Sequence, residues 1–139
     1  MSRAVHYARE QNLDVAEFRR VLNESGLGTT RPVGDDARMH AMMAGANLII
    51  TARFDRPDGP VVGVARGITD FSWVCYMAEV AVSSTAQGHG IGKGLLDEAR
   101  RQLGPQVTLI LSSMPDVTGF YERIGMARVP DVFWFRRTY

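Results

Sequence analysis

Gln87-Gly88-His89-Gly90-Ile91-Gly92-Lys93-Gly94 sets the reading of this chain. It follows a strand candidate that ends in Glu79-Val80-Ala81-Val82, and opens a helical pattern through Leu95, Leu96, Ala99 and Leu103. A helix N-terminus carries unpaired backbone N–H groups and about half a positive charge, which suits a phosphate. Glycines let the backbone approach such a ligand, and Lys93 adds a point charge. A glycine-rich turn without a ligand is the alternative. Four glycines at alternate positions exceed what a turn needs, since each loses about 0.5–1 kcal/mol against alanine in regular structure. Both nucleotide motifs fail. A Walker loop needs glycine where Gln87 stands and Ser or Thr where Gly94 stands. A dinucleotide fingerprint places Lys93 or Leu95 at its last glycine position.

Working outward, Val5 to Glu10 is a short strand candidate. Leu13 to Leu27 has helical spacing, with Asn12 or Asp14 as N-cap and Gly26 or Gly28 as stop. A second helix starts at the cap candidate Asp35 and runs through Met39, Met42 and Met43 to Gly45. Leu48 to Phe54 and Val61 to Ile68 are strands joined by the turn Arg56-Pro57-Asp58-Gly59. A further strand covers Trp73 to Val82. After the glycine stretch, the helix ends at Gly104-Pro105. Val107 to Leu111 is a buried strand, Asp116 to Met126 a helix, and Val132 to Phe135 a final strand. The order predicts an α/β protein, with one mixed sheet flanked by helices, as a single domain over residues 1–139.

Composition bounds the function. The 139 residues are 45% hydrophobic and 22% charged, the balance of a globular domain rather than a rod or disordered chain. Sixteen basic and fifteen acidic side chains leave a net +1, so no global field recruits nucleic acid or an anionic membrane. The single cysteine, Cys75, allows no internal disulfide and no thiolate zinc site, and no metal is expected. Without a signal-like start or a run of about 20 apolar residues, a soluble cytoplasmic protein is expected.

Gln87-x-x-Gly90-x-Gly92 resembles the Arg/Gln-x-x-Gly-x-Gly/Ala signature of the GNAT acetyltransferase superfamily, which cradles the pyrophosphate of acetyl-CoA. Gly119-Phe120-Tyr121-Glu122-Arg123-Ile124-Gly125-Met126 is similar to that family's Phe-Tyr-x-x-x-Gly-Phe segment, with Met126 replacing the last aromatic. The likeness runs from about Leu48 to the C-terminus and is closest to a small single-domain subgroup with plant chloroplast and cyanobacterial amine acetyltransferases. It implies a central mixed sheet and acetyl-CoA as cosubstrate. Cofactor contacts fall on Val80, Ala81, Val82, Gln87, Gly88, His89, Gly90, Ile91, Gly92 and Lys93. In the family, the strand before the loop splays from its neighbour and its free backbone polarises the thioester, a role that maps to Val80, Ala81 and Val82. Tyr121 matches the family's general acid, and an ordinary tyrosine pKa near 10 keeps it protonated at neutral pH. A homodimer through the C-terminal segment with Phe133, Trp134 and Phe135 is implied as well.

Other side chains are weighed on their own chemistry. Glu79 is the one ordinary carboxylate base between Trp73 and Val82. Strand alternation puts it on the face of Met77 and Ala81, unless a bulge intervenes. It serves either as the amine's general base, directly or through a water, or as a paired carboxylate. Cys75 reads as a small buried hydrophobe, and His6 and His40 as isolated surface residues. Met39, Met42 and Met43 read as core. The loop Asp70-Phe71-Ser72-Trp73 offers a place to read a cationic amine. The expected activity is N-acetyl transfer to a primary amine of a small molecule in a ternary complex. The alternatives are a protein or peptide acetyltransferase, or an inactive acyl-CoA sensor that has no need of Tyr121.

Overall fold

The computed structural model describes residues 3–138. Strand β1 is Val5–Arg9, followed by helices α1 (Val15–Ser25) and α2 (Asp36–Gly45). Strands β2 (Leu48–Phe54), β3 (Val61–Thr69) and β4 (Val74–Val82) come next. Helix α3 (Ile91–Leu103), strand β5 (Thr108–Leu111) and the short α4 (Thr118–Arg123) complete the regular structure. The five strands lie in sequence order, antiparallel from β1 to β4, with β5 parallel to β4. Only that last pair needs a crossover, and α3 supplies it.

Local chemistry sets the helix ends. The Asp14 carboxylate accepts the Ala16 N–H at 2.9 Å and caps α1, which stops at Gly26 with φ 91°. The Asp35 carboxylate accepts the Arg38 N–H at 3.1 Å and caps α2. Helices α1 and α2 cover one sheet face, burying Phe18, Val21, Leu22, Met39 and Met43 against Ile49, Val64 and Ala81. Helix α3 covers the other, burying Leu95, Leu96, Ala99 and Leu103 against Ile50, Ala65, Cys75 and Met77. Cys75 is the small core residue expected, and burial pushes its thiol up to about 11.

Three expectations need correction. Val132 to Phe135 is not a strand, and no helix or strand follows α4 among the described residues. Phe133, Trp134 and Phe135 are 91%, 70% and 105% exposed, so they have neither a ladder nor a packed face, and β propensity alone does not order a segment. The helix expected over Asp116 to Met126 is a 3₁₀ turn, Pro115–Val117, followed by the short α4; Gly125 with φ 101° lies just beyond its end. Glu79 does not share a face with Met77. Arg66 pairs with Glu79 while Gly67 pairs with Met77, so Ala78 is an extra, unpaired residue in β4. That bulge reverses the alternation. Cys75 and Met77 point to the α3 side, whereas Ala81 points to the α1–α2 side.

Candidate active site

The bulge marks the place where the sheet opens. β4 and β5 pair from Val74 with Thr108 to Met77 with Leu111, and there the ladder ends. Among the described residues no strand pairs with the outer edge of β4 from Ala78 to Val82. Apart from the Ala78 carbonyl, which Arg31 occupies, backbone groups on that edge can bond an extended ligand. Past Val82 the chain is anchored by Ser83, whose hydroxyl donates to the Glu24 carboxylate at 2.6 Å and accepts the Thr85 N–H. A 3₁₀ turn, Ser84–Ala86, then delivers the chain to the glycine loop.

The loop itself is exposed from Gln87 to Gly90. Gly88 (φ 88°) and Gly90 (φ 71°) occupy the left-handed region that favours glycine, and open space surrounds both Cα positions. Gly90 caps α3 without a side chain, and the first amide with a helical acceptor is Gly94, bonded to the Gly90 carbonyl at 3.0 Å. The amides of Ile91, Gly92 and Lys93 therefore precede the helical ladder, as an anion site requires. Lys93 Nζ already pairs with Asp97 at 2.7 Å. His89 lies edge-on to Phe54, with ring centroids 5.4 Å apart.

Gly92 and Gly94 also answer a packing need that the sequence did not show. A Cβ on Gly92 would lie 2.9 Å from Phe120, and one on Gly94 would lie 2.2 Å from the Tyr7 ring. Both positions are small because neighbouring aromatic rings rest directly on the first turn of α3. Phe120 in turn holds Tyr121 edge-to-face, with centroids 5.0 Å apart. Tyr121 is half-buried against the α3-side core, and burial raises its hydroxyl pKa above the ordinary tyrosine value.

Glu79 is fully committed to other partners. Its side chain is 1% exposed; Oε1 accepts from Arg66 Nε at 2.5 Å, and Oε2 accepts from Arg66 Nη2 at 2.9 Å and from Arg31 Nε at 2.8 Å. Arg31 Nη2 also donates to the Ala78 carbonyl at 2.9 Å. Arg66 Nη1 reaches the Met42 carbonyl at 3.3 Å, tying α2 to the same cluster. Sequence reasoning missed both arginines. Arg66 stood between Ala65 and Gly67 in a strand buried on both faces, a position where a charge needs a buried partner. Arg31 lies between the two predicted helices, where nothing in the sequence marks it as a partner of Glu79. The exposed Asp70 carboxylate accepts the N–H groups of Ser72, Trp73 and Val74 through Oδ1, which shapes the turn before β4.

The Acetyltransferase (GNAT) domain family matches residues 46–125, more than half of the chain. An uncharacterized N-acetyltransferase, ycf52, of Pyropia yezoensis is 31% identical over 83 residues, covering 55% of this chain and 48% of that protein. The ycf52 protein of Porphyra purpurea matches to the same extent, so the chain spans about half the length of these curated relatives. Among solved structures, a GNAT-family acetyltransferase of Streptococcus pneumoniae TIGR4 superposes with a TM-score of 0.69 at 20% identity, over 96% of this chain and 99% of that one. Aminoglycoside N-acetyltransferase AAC(6')-Iy in complex with CoA superposes with a TM-score of 0.71 at 14% identity, over 100% and 98%. No helix among the described residues is long and apolar enough to cross a membrane.

The ion cluster has a measurable consequence. Glu79→Gln keeps the shape and removes the charge, leaving the guanidinium of Arg66, 8% exposed, without its counter-ion. Breaking a buried pair from one side costs about 3–5 kcal/mol, and a loss in that range is expected in urea denaturation. A loss below about 1 kcal/mol would show that the cluster does not hold the sheet.

Proposed function

Because the chain belongs to the GNAT acetyltransferase family, we propose that it transfers the acetyl group of acetyl-CoA to a primary amine of a small molecule, with both substrates bound together. The observation that carries this is the continuity of one segment. An unpaired β4 edge from Ala78 to Val82 leads, through an open glycine turn, into the uncapped start of α3. The amides of Ile91, Gly92 and Lys93 would hold the pyrophosphate, with Gln87, Gly88, His89 and Gly90 lining the approach and Lys93 adding charge. The pantetheine arm would lie along Val80, Ala81 and Val82, whose backbone would bond it and polarise the thioester carbonyl. A structure of AAC(6')-Iy with a CoA-S-monomethyl-acetylneamine bisubstrate analog supports a small-molecule amine as the acceptor class.

The amine nitrogen attacks the carbonyl carbon, the C–S bond breaks, and the CoA thiolate takes the Tyr121 proton. Burial of Tyr121 favours its neutral form, so the proton is in place at neutral pH. The acid is lost only above the ordinary tyrosine pKa of about 10, and the rate falls there rather than near neutrality. Glu79, expected as a base, accepts from Arg66 at both oxygens and from Arg31 at Oε2, and its 1% exposure shuts it away from an incoming amine. The amine proton therefore leaves to water. Tyr121 also favours an enzyme over an idle acyl-CoA sensor.

A panel of aminoglycosides, polyamines, arylalkylamines and amino acids, scored by free CoA released, tests the activity. Tyr121→Phe keeps the ring and removes the proton. It is expected to lose roughly 10²–10⁴ in single-turnover rate with acetyl-CoA affinity little changed. Wild-type single-turnover rates in that variant would remove Tyr121 from the mechanism.

We also propose a homodimer. β5 ends the sheet with an open edge, and Phe133, Trp134 and Phe135 project into solvent on the segment that follows α4. Exposed apolar surface of this kind favours a partner. Sedimentation is expected to give a dimer, and a monomer at micromolar concentration would overturn the proposal.

A further inference from the structure

A bulged residue has no partner across the ladder, so its backbone must find one elsewhere. At Ala78 the partner is a side chain from a different layer. Arg31 follows the 3₁₀ turn Leu27–Thr30 and reaches across the α1–α2 face to the bulge. Its guanidinium is spent on three sides. Nε donates to Glu79 Oε2 at 2.8 Å, Nη2 to the Ala78 carbonyl at 2.9 Å and Nη1 to Thr30 Oγ1 at 2.9 Å. The Thr30 hydroxyl donates in turn to the Leu27 carbonyl at 2.9 Å, which fixes the turn from which the arginine springs. A planar fork is needed to meet a carboxylate and a carbonyl on adjacent residues at once, and lysine has no such fork.

We infer that Arg31 is a positioning residue for acetyl transfer: it holds the Ala78 bulge in the form that aims the free edge of β4 at the thioester. The inference rests on the acetyl-transfer function proposed above and adds to it the device that fixes the polarising backbone. The bulge sets which way the groups of Glu79 to Val82 face, because it reverses the alternation of the strand at that point. Arg31 satisfies the carbonyl of the bulged residue and, through Glu79, joins it to Arg66 on β3. Glu79 retains Arg66 when Arg31 is gone, so the strand stays in the sheet while the bulge loses its clamp. A misplacement of about 1 Å at a reacting group costs on the order of 10² in rate.

The test uses acetyl-CoA isotope-labelled at the carbonyl carbon, with the protein intact, in wild type, Arg31→Ala and Arg31→Lys. The lysine variant keeps a cation beside Glu79 and loses the second donor to Ala78. In wild type, the bound acetyl carbonyl stretch is expected to move to lower frequency. In both variants most of that displacement is lost and single-turnover transfer to the best amine of the panel falls on the order of 10²-fold. Affinity for CoA itself stays within a few-fold of wild type. If Arg31→Ala does not fold, Arg31→Lys carries the test alone. A wild-type carbonyl displacement and rate in either folded variant overturns the inference, as does a loss of CoA affinity as large as the loss of rate. A wild type that fails to bind acetyl-CoA removes the proposed function and this inference together. Transfer by wild type that is insensitive to Arg31 removes the inference alone.

Discussion

Glu79 and the two guanidiniums around it sit where the sheet makes its one costly concession. Pairing between β4 and β5 stops after four residues, and the strand that continues must carry unpaired backbone toward the centre of the molecule. A sheet with a free interior edge tends to close up or slip register, and a slip of one residue would turn every later side chain of β4 to the wrong face. The buried carboxylate prevents this by joining β4 to β3 through Arg66, to α2 through the Met42 carbonyl, and to the segment before α2 through Arg31. Desolvating these charges is expensive, and the arrangement persists because both carboxylate oxygens and all three nitrogens of Arg66 have hydrogen-bond partners. Its stabilising effect is local. It fixes β4 where its pairing with β5 ends.

The second constraint lies at the start of α3. Four glycines stand there for two distinct reasons. Gly88 and Gly90 bend the chain through left-handed backbone and leave space above it, as a phosphate would need. Gly92 and Gly94 make room beneath it, where Phe120 and Tyr7 press on the helix. The same turn thus offers amides outward while α4 and β1 pack on it from other sides. Placing Phe120 on Gly92 also brings its neighbour Tyr121 to the α3 side of the sheet, so one small residue links the proposed anion site to the proposed acid.

Much of this was legible in the sequence because it rests on local chemistry. Asp35 as a cap, Asn12 or Asp14 as the cap before α1, the turn at Arg56 to Gly59, the stop at Gly104 and the strand from Leu48 to Phe54 all follow from residue type and spacing. The glycine loop was equally plain. What sequence could not supply was pairing across distance. Nothing in the run Val74 to Val82 reveals that Ala78 is the extra residue, since a bulge is defined by its partner strand and not by its own side chain. For the same reason Arg31 and Arg66 went unnoticed as partners of Glu79, being 48 and 13 residues away. Val132 to Phe135 misled in the opposite way: four strand-forming residues predicted a strand, yet the segment joins no ladder among the described residues.

The central claim is that the β4 edge released at Ala78, together with the first amides of α3, is where acetyl-CoA lies. Amide hydrogen exchange with and without acetyl-CoA tests it most directly, because it reads the backbone rather than the consequences of a substitution. The account predicts slowed exchange from Ala78 to Val82 and from Gln87 to Lys93, with no change from Val74 to Met77, where β5 already pairs. Saturating acetyl-CoA that leaves Ala78 to Val82 exchanging at its original rate would contradict the account.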